Sequence, residues 1–278
     1  MNNAILGMLA ETSVHPGAGR STGFVDLPVA REAATDYPVI VGSSLKGALR
    51  DQARQSGWKE NGRADKVFGV QDNAGDLLVS DARLLLLPVR SLNSHYKWVT
   101  CPHLIERYTR DRRRAGVEAK GLAEHKLNAL ANEHSALGFS TGETLFLEER
   151  QFTTVADIDR GVIDALASLF VHPEAAQRLE RQLVVLRDDD FTWFARYGLS
   201  VNARNVLDEE NKTSMNLWYE ETIPPDSLFY TVLAERQPDA LVAAQELFNQ
   251  SPYVQVGGNA TVGQGWFAVE WLDQGGVQ

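Results

Sequence analysis

Stretches typical of strands alternate with stretches typical of helices along the whole 278-residue chain. Apolar runs bounded by glycine, proline or polar turns predict strands over 4–10, 76–89, 142–155 and 216–236. Helices are predicted over 44–56, 157–170, 173–182 and 238–250. Because the spacing is neither all-helical nor all-strand, it favours an α+β fold built from split βαβ units. No repeat or long linker divides the sequence, so we predict one domain over 1–278.

The charge is unevenly distributed along the sequence. Residues 1–130 carry 18 Lys and Arg against 14 Asp and Glu, whereas 131–278 carry 9 against 23, which gives the formal net charge of -10. A basic front half permits a polyanionic partner without demanding one. Cys101 is the single cysteine, which excludes an intramolecular disulfide and a cysteine zinc cluster. The start lacks a signal peptide and no run reaches the length of a membrane span, so we expect a soluble, cytoplasmic protein.

The stretch VIVGSSLKGALRDQAR (39–54) predicts a strand that leads into a helix with a basic row. Lys46, Arg50 and Arg54 are four residues apart and fall on one helical face. Ser43 or Ser44 can cap this helix, and the free N–H groups of its first turn suit an anion. The stretch predicts phosphate binding, and a solvated amphipathic face is the alternative interpretation. It does not match the phosphate loop of nucleotidases.

Aromatic and basic residues are interleaved within 90–135. Trp98 offers a ring for stacking, and Arg107 and Arg110 supply positive charge. Stacking combined with backbone charge gives sequence-tolerant binding of single-stranded nucleic acid. A surface for protein–protein contact is the alternative interpretation of this segment.

Two glycine-rich segments complete the candidate site. His15 and Asp26 lie among glycines near the start of the chain. A loop carboxylate can act as a base or hold a hydrated Mg²⁺, whereas Asp26 as a turn cap and His15 as a surface histidine is the alternative. The second segment, VGGNATVGQGWF, lets backbone N–H groups approach a phosphate closely, although hairpin turns use the same residues. Its glycines are Gly257, Gly258, Gly263 and Gly265. The acidic run Asp188–Asp190 is interpreted as a solvated turn.

Several blocks of the sequence together resemble the RAMP superfamily, the RNA-binding subunits of CRISPR effector complexes. They occur in the order SVHPGAG, GFVDLPVARE, PVIVGSSLKGALRD, VSDARLLLLPVRS, WVTCPHLIERYTRD, LWYEETIPPDSLFY and VGGNATVGQGWF. The resemblance covers roughly residues 5–270 and is greatest to the repeated backbone subunits of type III-B (Cmr) complexes. It implies a modified ferredoxin-like (RRM-like) α+β fold with helical insertions and an inserted β-hairpin thumb, and we expect 90–135 to be the thumb or helical insertion.

The resemblance also implies a function and a set of site residues. Copies of such a subunit form a helical filament on the guide RNA, together with other type III subunits, and cleave the target RNA with a divalent metal (Mg²⁺ or Mn²⁺). Cleavage is expected to depend on Asp26, with His15 in support. Tyr219, Glu220 and Glu221 resemble a block near the cleavage site, where a carboxylate could share the metal or position water. Strand alternation lets at most one of the two glutamates reach it, and we favour Glu220, with a solvated strand face as the alternative. The residues expected to contact RNA are Ser44, Lys46, Arg50, Arg54, Trp98, Arg107, Arg110 and the four glycines near the C-terminal end.

The expected reaction is attack by the 2′-hydroxyl on the adjacent phosphate, which leaves a 2′,3′-cyclic phosphate and a 5′-hydroxyl. Two alternatives remain open at this point: a non-catalytic structural RNA-binding subunit, and a backbone subunit of another type III subtype. A small-molecule enzyme lacks support, because the sequence carries no cofactor fingerprint and no readable nucleophile–histidine set.

Overall fold

The computed structural model describes residues 2–60, 62–249 and 251–272. The strands are β1 (Asn3–Ala10), β2 (Val39–Ile40), β3 (Gly69–Val70), β4 (Asn73–Ala74), β5 (Leu77–Val79), β6 (Ala82–Arg90), β7 (Tyr96–Thr100), β8 (Ser135–Gly138), β9 (Thr144–Leu147), β10 (Arg150–Asp157), β11 (Leu183–Leu186), β12 (Ser200–Leu207), β13 (Ser214–Thr222), β14 (Leu228–Glu235), β15 (Tyr253–Gln255) and β16 (Trp266–Leu272). The α-helices are α1 (Gly42–Ala53), α2 (Arg63–Phe68), α3 (Pro102–Arg114), α4 (Glu124–Ala129), α5 (Arg160–Ala167), α6 (Pro173–Gln182), α7 (Asp188–Tyr197) and α8 (Ala240–Glu246).

A mixed twelve-stranded sheet organises the fold. Its order is β15-β16-β1-β14-β6-β7-β11-β8-β10-β9, with β2 paired to β6 and β5 to β14. Strand β1 runs antiparallel to both neighbours, with Leu6 opposite Thr231 and Trp271. The β7–β11 and β8–β10 pairs are parallel. Helices and a mixed sheet in one structure confirm the predicted α+β class.

The core lies on both faces of the central strands. Strand β1 is a nearly continuous apolar run with buried side chains on either side, as expected for a strand that is covered on both faces. Gly7 is required there because a Cβ would lie 2.5 Å from the carbonyl oxygen of Leu169, just after α5. The covering layer thus rests directly on the strand. Among the described residues, no helix is long and apolar enough to cross a membrane.

Strands β12 and β13 form a hairpin apart from the main sheet, since they pair with each other along their full length. The segment 90–135, which the sequence predicts as a thumb or a helical insertion, does not hold this hairpin, and its helices fit the second prediction. That segment instead contributes β7 to the sheet, between β6 and β11, followed by α3 and α4. The physical reason is the apolar end of β7: Trp98 and Val99 are fully buried, so this strand cannot project from the body.

The sequence predicts a solvated turn at Asp188–Asp190, but the structure does not form one there. These residues form the first turn of α7, where Asp188 Oδ1 accepts a hydrogen bond from the His103 N–H at 3.0 Å. Asp190 is buried, with Arg150 at 3.7 Å. Carboxylates at a helix N-terminus are stabilised by the helix dipole, which accounts for this placement.

Candidate active site and nucleic-acid groove

Asp26 lies in the loop between β1 and β2 and is attached to the edge of β13. The backbone N–H of Tyr219 donates to Asp26 Oδ2 at 2.8 Å, and the Ser21 N–H donates to the Asp26 carbonyl oxygen at 2.9 Å. Leu27 extends this contact as a parallel bridge to Glu220. Asp26 is half-buried, and no described residue bonds to its Oδ1. One carboxylate oxygen is thus fixed while the other stays open to a ligand.

His15 is attached to the same strand edge through its ring. Its Nδ1 lies 2.8 Å from the carbonyl oxygen of Glu221. Because a carbonyl oxygen only accepts, we assign the proton to Nδ1, which leaves Nε2 of the neutral ring as an acceptor. Nε2 faces Gly17, where an added Cβ would lie 2.9 Å from it. Nε2 therefore keeps a free lone pair while Nδ1 keeps the ring oriented, on a side chain that is only 8% exposed.

Strand β13 brings His15 and Asp26 together. Tyr219 holds Asp26 and Glu221 holds His15, and residues two apart in a strand are separated by roughly 7 Å and point their backbone groups the same way. Leu27 lies between them, bonded to both Tyr219 O and Glu221 N. Asp26 and His15 are therefore fixed to the same edge of β13, two strand residues apart.

Glu221 fixes the loop that carries Asp26, a role that the sequence did not assign to it. Its Oε1 is 2.7 Å from Arg31 Nη2, and its Oε2 accepts the Val29 N–H at 3.0 Å. Arg31 Nη1 also donates to the carbonyl oxygens of Asp36 and Ala195, each at 2.8 Å. The carboxylate is buried and fully used. Glu221 and Arg31 therefore act as supports of the loop.

The side chains of Glu220 and Glu221 contact different partners, as strand alternation predicts. Glu220 Oε1 accepts from Arg204 Nη2 at 3.2 Å and from the Asn259 side-chain amide. Asn259 adopts φ +61° and also donates to Gln264. Since Glu220 is only 2% exposed, this geometry does not support the catalytic role predicted for it. Glu220 instead links β13 to the glycine-rich loop.

A groove of about 690 Å³ opens between α1, the His15 loop and the glycine-rich loop. Of the residues expected to contact RNA, three line this groove: Ser44, Gly257 and Gly258. Gly258 N–H donates to the carbonyl oxygen of His15 at 2.8 Å, so the glycine-rich loop packs directly on the active-site loop. Gly263 and Gly265 shape the same loop with φ +83° and +85° but are not among the lining residues. The groove and the Asp26 site therefore share the His15 segment.

The basic row of α1 does not line this groove. Arg54 pairs with Asp65 at 2.8 Å, and Arg50 reaches the carbonyl oxygen of Gly69 at 3.4 Å. Lys46 is half-buried, and burial followed by the nearby Arg236 and Arg50 charges lowers its pKa. Lys46, Arg50 and Arg54 therefore do not share the groove that Gly257 and Gly258 line, and their contact with RNA stays a prediction. The cause is helical phase, since the groove takes the opposite side of α1.

The predicted serine cap of α1 is also wrong. The helix is capped by Val41 without a side-chain hydrogen bond, so Ser43 and Ser44 lie inside the first turn. The N–H of Gly42 donates to Asp81 Oδ1 at 2.7 Å. The first N–H of this helix therefore already has a carboxylate partner, and the expected phosphate at the helix terminus loses its support.

Of the three residues in 90–135 that the sequence predicts to contact RNA, two are not accessible to it. Trp98 is fully buried and donates its Nε1–H to the carbonyl oxygen of Asp226 at 2.7 Å. Arg107 pairs with Glu32 at 2.9 Å and its side chain is 13% exposed. Arg110 is more than half exposed, with Glu106 at 2.8 Å. Of these, Arg110 alone remains accessible to a ligand.

The site at Asp26 fits a hydrated metal ion rather than an ion held by several protein ligands. Among the described residues, no group of three or more His, Cys, Asp and Glu side chains could hold a metal ion. Mg²⁺ keeps most of its water and usually takes one or two carboxylates plus phosphate oxygens, rather than an all-protein cage. The open Oδ1 of Asp26 suits such a hydrated ion. A buried cage of protein ligands does not fit.

Substitution of Gly257 tests the contact between the two loops. An added Cβ would lie 2.8 Å from His15 O at a residue with φ +99°, whereas Gly263 has φ +83° with nothing within 4 Å. We expect Gly263→Ala to lower the free energy of unfolding by about 1 kcal/mol through strain alone. Gly257→Ala is expected to cost about 1–3 kcal/mol more because backbone atoms must shift. Urea unfolding of both variants measures this difference, and equal losses would contradict the contact.

The chain belongs to the RAMP superfamily, whose family model matches residues 8–268. It is similar to the "CRISPR system Cmr endoribonuclease Cmr4" of Pyrococcus furiosus, with 31% identity over 97% of this chain and 95% of that protein. It is also similar to the "CRISPR system CMR subunit Cmr4" of Saccharolobus solfataricus, with 25% identity over 95% of this chain and 94% of the relative.

Solved structures resemble the whole chain. A crystal structure of oligomeric Cmr4 from Pyrococcus furiosus superimposes with a TM-score of 0.75 and 27% identity, covering 98% of each chain. A cryo-EM structure of the type III-B Cmr-beta complex bound to cognate target RNA gives a TM-score of 0.74 at 22% identity, covering 98% of this chain and 97% of that one. The second match supports the fold alone. The family expected from the sequence blocks is therefore confirmed.

Proposed function

We infer that this chain is the RNA-cleaving backbone subunit of a type III-B CRISPR effector complex. The observation that carries the inference is the half-exposed Asp26, held beside His15 in a chain 31% identical over 97% of its length to a Cmr endoribonuclease. Its partners are the guide RNA, the single-stranded target RNA, further copies of itself in a helical filament and other type III subunits. We place the complex in the cytoplasm.

The groove between α1 and the glycine-rich loop is proposed to hold the guide RNA. Its lining includes backbone positions without side chains, such as Gly257 and Gly258, and the hydroxyl of Ser44. Contacts of this kind reach phosphate and sugar and do not read bases, which suits a subunit that accepts any guide sequence. The exposed Arg110 and the half-buried Lys46 and Arg50 remain candidates for further phosphate contacts on other faces.

Target cleavage is proposed to proceed by transfer within the RNA. The 2′-oxygen attacks the adjacent phosphorus, the bond from phosphorus to the 5′-oxygen breaks, and the 2′-proton passes to a base. Asp26 Oδ1 serves either as this base or as the ligand of a hydrated ion, and His15 Nε2 is the acceptor when Oδ1 holds the ion. The departing 5′-oxygen takes a proton from solvent water, which leaves a 2′,3′-cyclic phosphate and a 5′-hydroxyl. Tyr219 orients Asp26 through its backbone N–H, and Glu221 orients His15 through its carbonyl oxygen.

A divalent ion, Mg²⁺ or Mn²⁺, would be held by Asp26 and would supply charge stabilisation at the phosphoryl oxygens. We expect EDTA to stop cleavage by the assembled complex and excess Mg²⁺ or Mn²⁺ to restore it. Binding of the target is expected to persist in EDTA, because base pairing with the guide supplies it. Gel analysis of labelled target RNA, with an electrophoretic shift as the control, measures both. Unchanged cleavage in EDTA would rule out the metal role of Asp26.

Reconstitution of the complex tests the function as a whole. We expect wild-type complex to cut a complementary target at regular intervals and to leave a non-complementary RNA intact. Failure of a fully assembled wild-type complex to cut would favour a structural, RNA-binding subunit instead. Assembly is verified independently by co-purification of the guide RNA.

A further inference from the structure

Phe24 is a fully exposed aromatic residue two positions before Asp26. The loop that carries it is closed by hydrogen bonds: Ser21 N–H donates to Asp26 O at 2.9 Å, and Gly23 N–H donates to the Ser21 hydroxyl at 3.0 Å. Phe24 is therefore presented on an ordered turn. The whole phenyl ring of Phe24 is therefore available for contact with a ligand.

A second exposed aromatic side chain lies at the same carboxylate. Tyr219 donates its backbone N–H to Asp26 Oδ2 at 2.8 Å, and its side chain is 44% exposed. Asp26 thus has one accessible ring close to it in sequence and another on the strand that holds it. Two exposed aromatic residues on the backbone segments that hold one open carboxylate suit a ligand with flat faces.

The charge of the loop selects the class of ligand. Residues 16–25 contain no carboxylate. Arg20 is exposed and forms no ion pair with the residues that the structure describes. Exposed rings next to an unpaired cation are the combination that binds single-stranded nucleic acid, because bases stack on the rings while the cation attracts the phosphates. An apolar protein segment would leave Arg20 without a partner.

We propose that Phe24 is a positioning residue for the target strand, whose ring stacks on a base of the target RNA beside the phosphate that Asp26 acts on. Tyr219 offers a second face, and Arg20 contacts a neighbouring phosphate. This inference rests on the proposed endoribonuclease function. Stacking tolerates any base, so it suits a subunit that must cut every target sequence. The stacked ring would act by fixing the conformation of the nucleotide at the cut, because in-line attack needs that nucleotide to be held in one conformation.

Phe24→Leu in the reconstituted complex tests the proposal, since leucine keeps an apolar side chain and removes the ring. We expect the cleavage rate at saturating target to fall between about fivefold and about 150-fold, the range that one stacked base is worth. Target affinity should hardly change, because guide pairing dominates it. Phe24→Trp is expected to restore the rate close to that of the wild type. Leu92→Ala, at an exposed apolar residue in the turn between β6 and β7, is the matched control and should cut normally.

Crosslinking gives a readout that does not depend on activity. The probe is a target RNA with 5-iodouridine beside the expected cut and a 2′-deoxy sugar at the cut, so that it stays intact. We expect ultraviolet light to join the probe to Phe24 in the wild-type complex, and to a lesser extent in Phe24→Leu. Normal cutting by Phe24→Leu, or crosslinks confined to other segments, would overturn the proposal. If the wild type cuts and Asp26→Asn does not, either result removes the role of Phe24 while the proposed function stands.

Discussion

Asp26→Asn is expected to slow target cleavage by about 100- to 10,000-fold, the range for removal of a group that takes part in proton transfer. Asparagine keeps an oxygen that can accept the Tyr219 N–H, whose bond to Asp26 measures 2.8 Å. The loop should therefore stay in place while the negative charge is lost. The rate is measured with saturating labelled target on the reconstituted complex, in the presence of Mg²⁺.

Assembly and target binding provide the controls for this variant. Because asparagine keeps the bond to the Tyr219 N–H and so the loop, guide RNA should co-purify with the variant complex as it does with the wild type. The target should also bind with unchanged affinity. Cutting by Asp26→Asn at the wild-type rate would show that the active site lies elsewhere on the chain.

Glu221→Ala is expected to lower the free energy of unfolding by about 3–5 kcal/mol, the cost of removing one partner from a buried ion pair. The Arg31 guanidinium, 2.7 Å away, would lose its counter-charge, and the Val29 N–H would lose its acceptor. Side-chain exposures of 17% and 9% leave little solvent to compensate. Cleavage should fail too, since this carboxylate anchors the loop of Asp26.

A surface pair gives the matched comparison. Glu106 and Arg110 are 2.8 Å apart with side chains more than half exposed, and an exposed helical pair contributes about 0.3–0.5 kcal/mol. Glu106→Ala should therefore unfold in urea almost as the wild type does and should retain cleavage. Similar losses for Glu106→Ala and Glu221→Ala would contradict the structural role assigned to Glu221.

The sequence predicted the backbone of this site better than its side-chain surroundings. Asp26 and His15 were predicted as a pair, and the structure places both on the edge of β13. Glu221 was recognised only as the strand neighbour of Glu220. Its ion pair with Arg31 joins residues 190 positions apart, and no local pattern reveals a contact across that separation. The glycine-rich loop gave a usable signal because positive φ is a local property.

The predictions of exposed RNA-binding side chains were wrong where the structure buries the residue. Trp98 and Arg107 read as a stacking ring and a cation, yet β7 lies inside the sheet and Arg107 is occupied by Glu32. Interleaved aromatic and basic residues look the same in a buried ion-pair network as on a nucleic-acid surface. Lys46 and Arg50 lie in α1 as predicted, whereas Arg54 begins a π-helical turn after it, and periodicity alone does not say which helix face meets the groove. Only tertiary packing fixes that phase.

The end groups and positions of the cleaved target RNA test the central claim most directly. Mass spectrometry of the fragments from wild-type complex should show 2′,3′-cyclic phosphate and 5′-hydroxyl ends at regular intervals, and Asp26→Asn should release hardly any fragment. Fragments with 3′-hydroxyl and 5′-phosphate ends would show attack by water in place of the neighbouring ribose oxygen. That result, or an unchanged fragment pattern from Asp26→Asn, would contradict the mechanism assigned to Asp26.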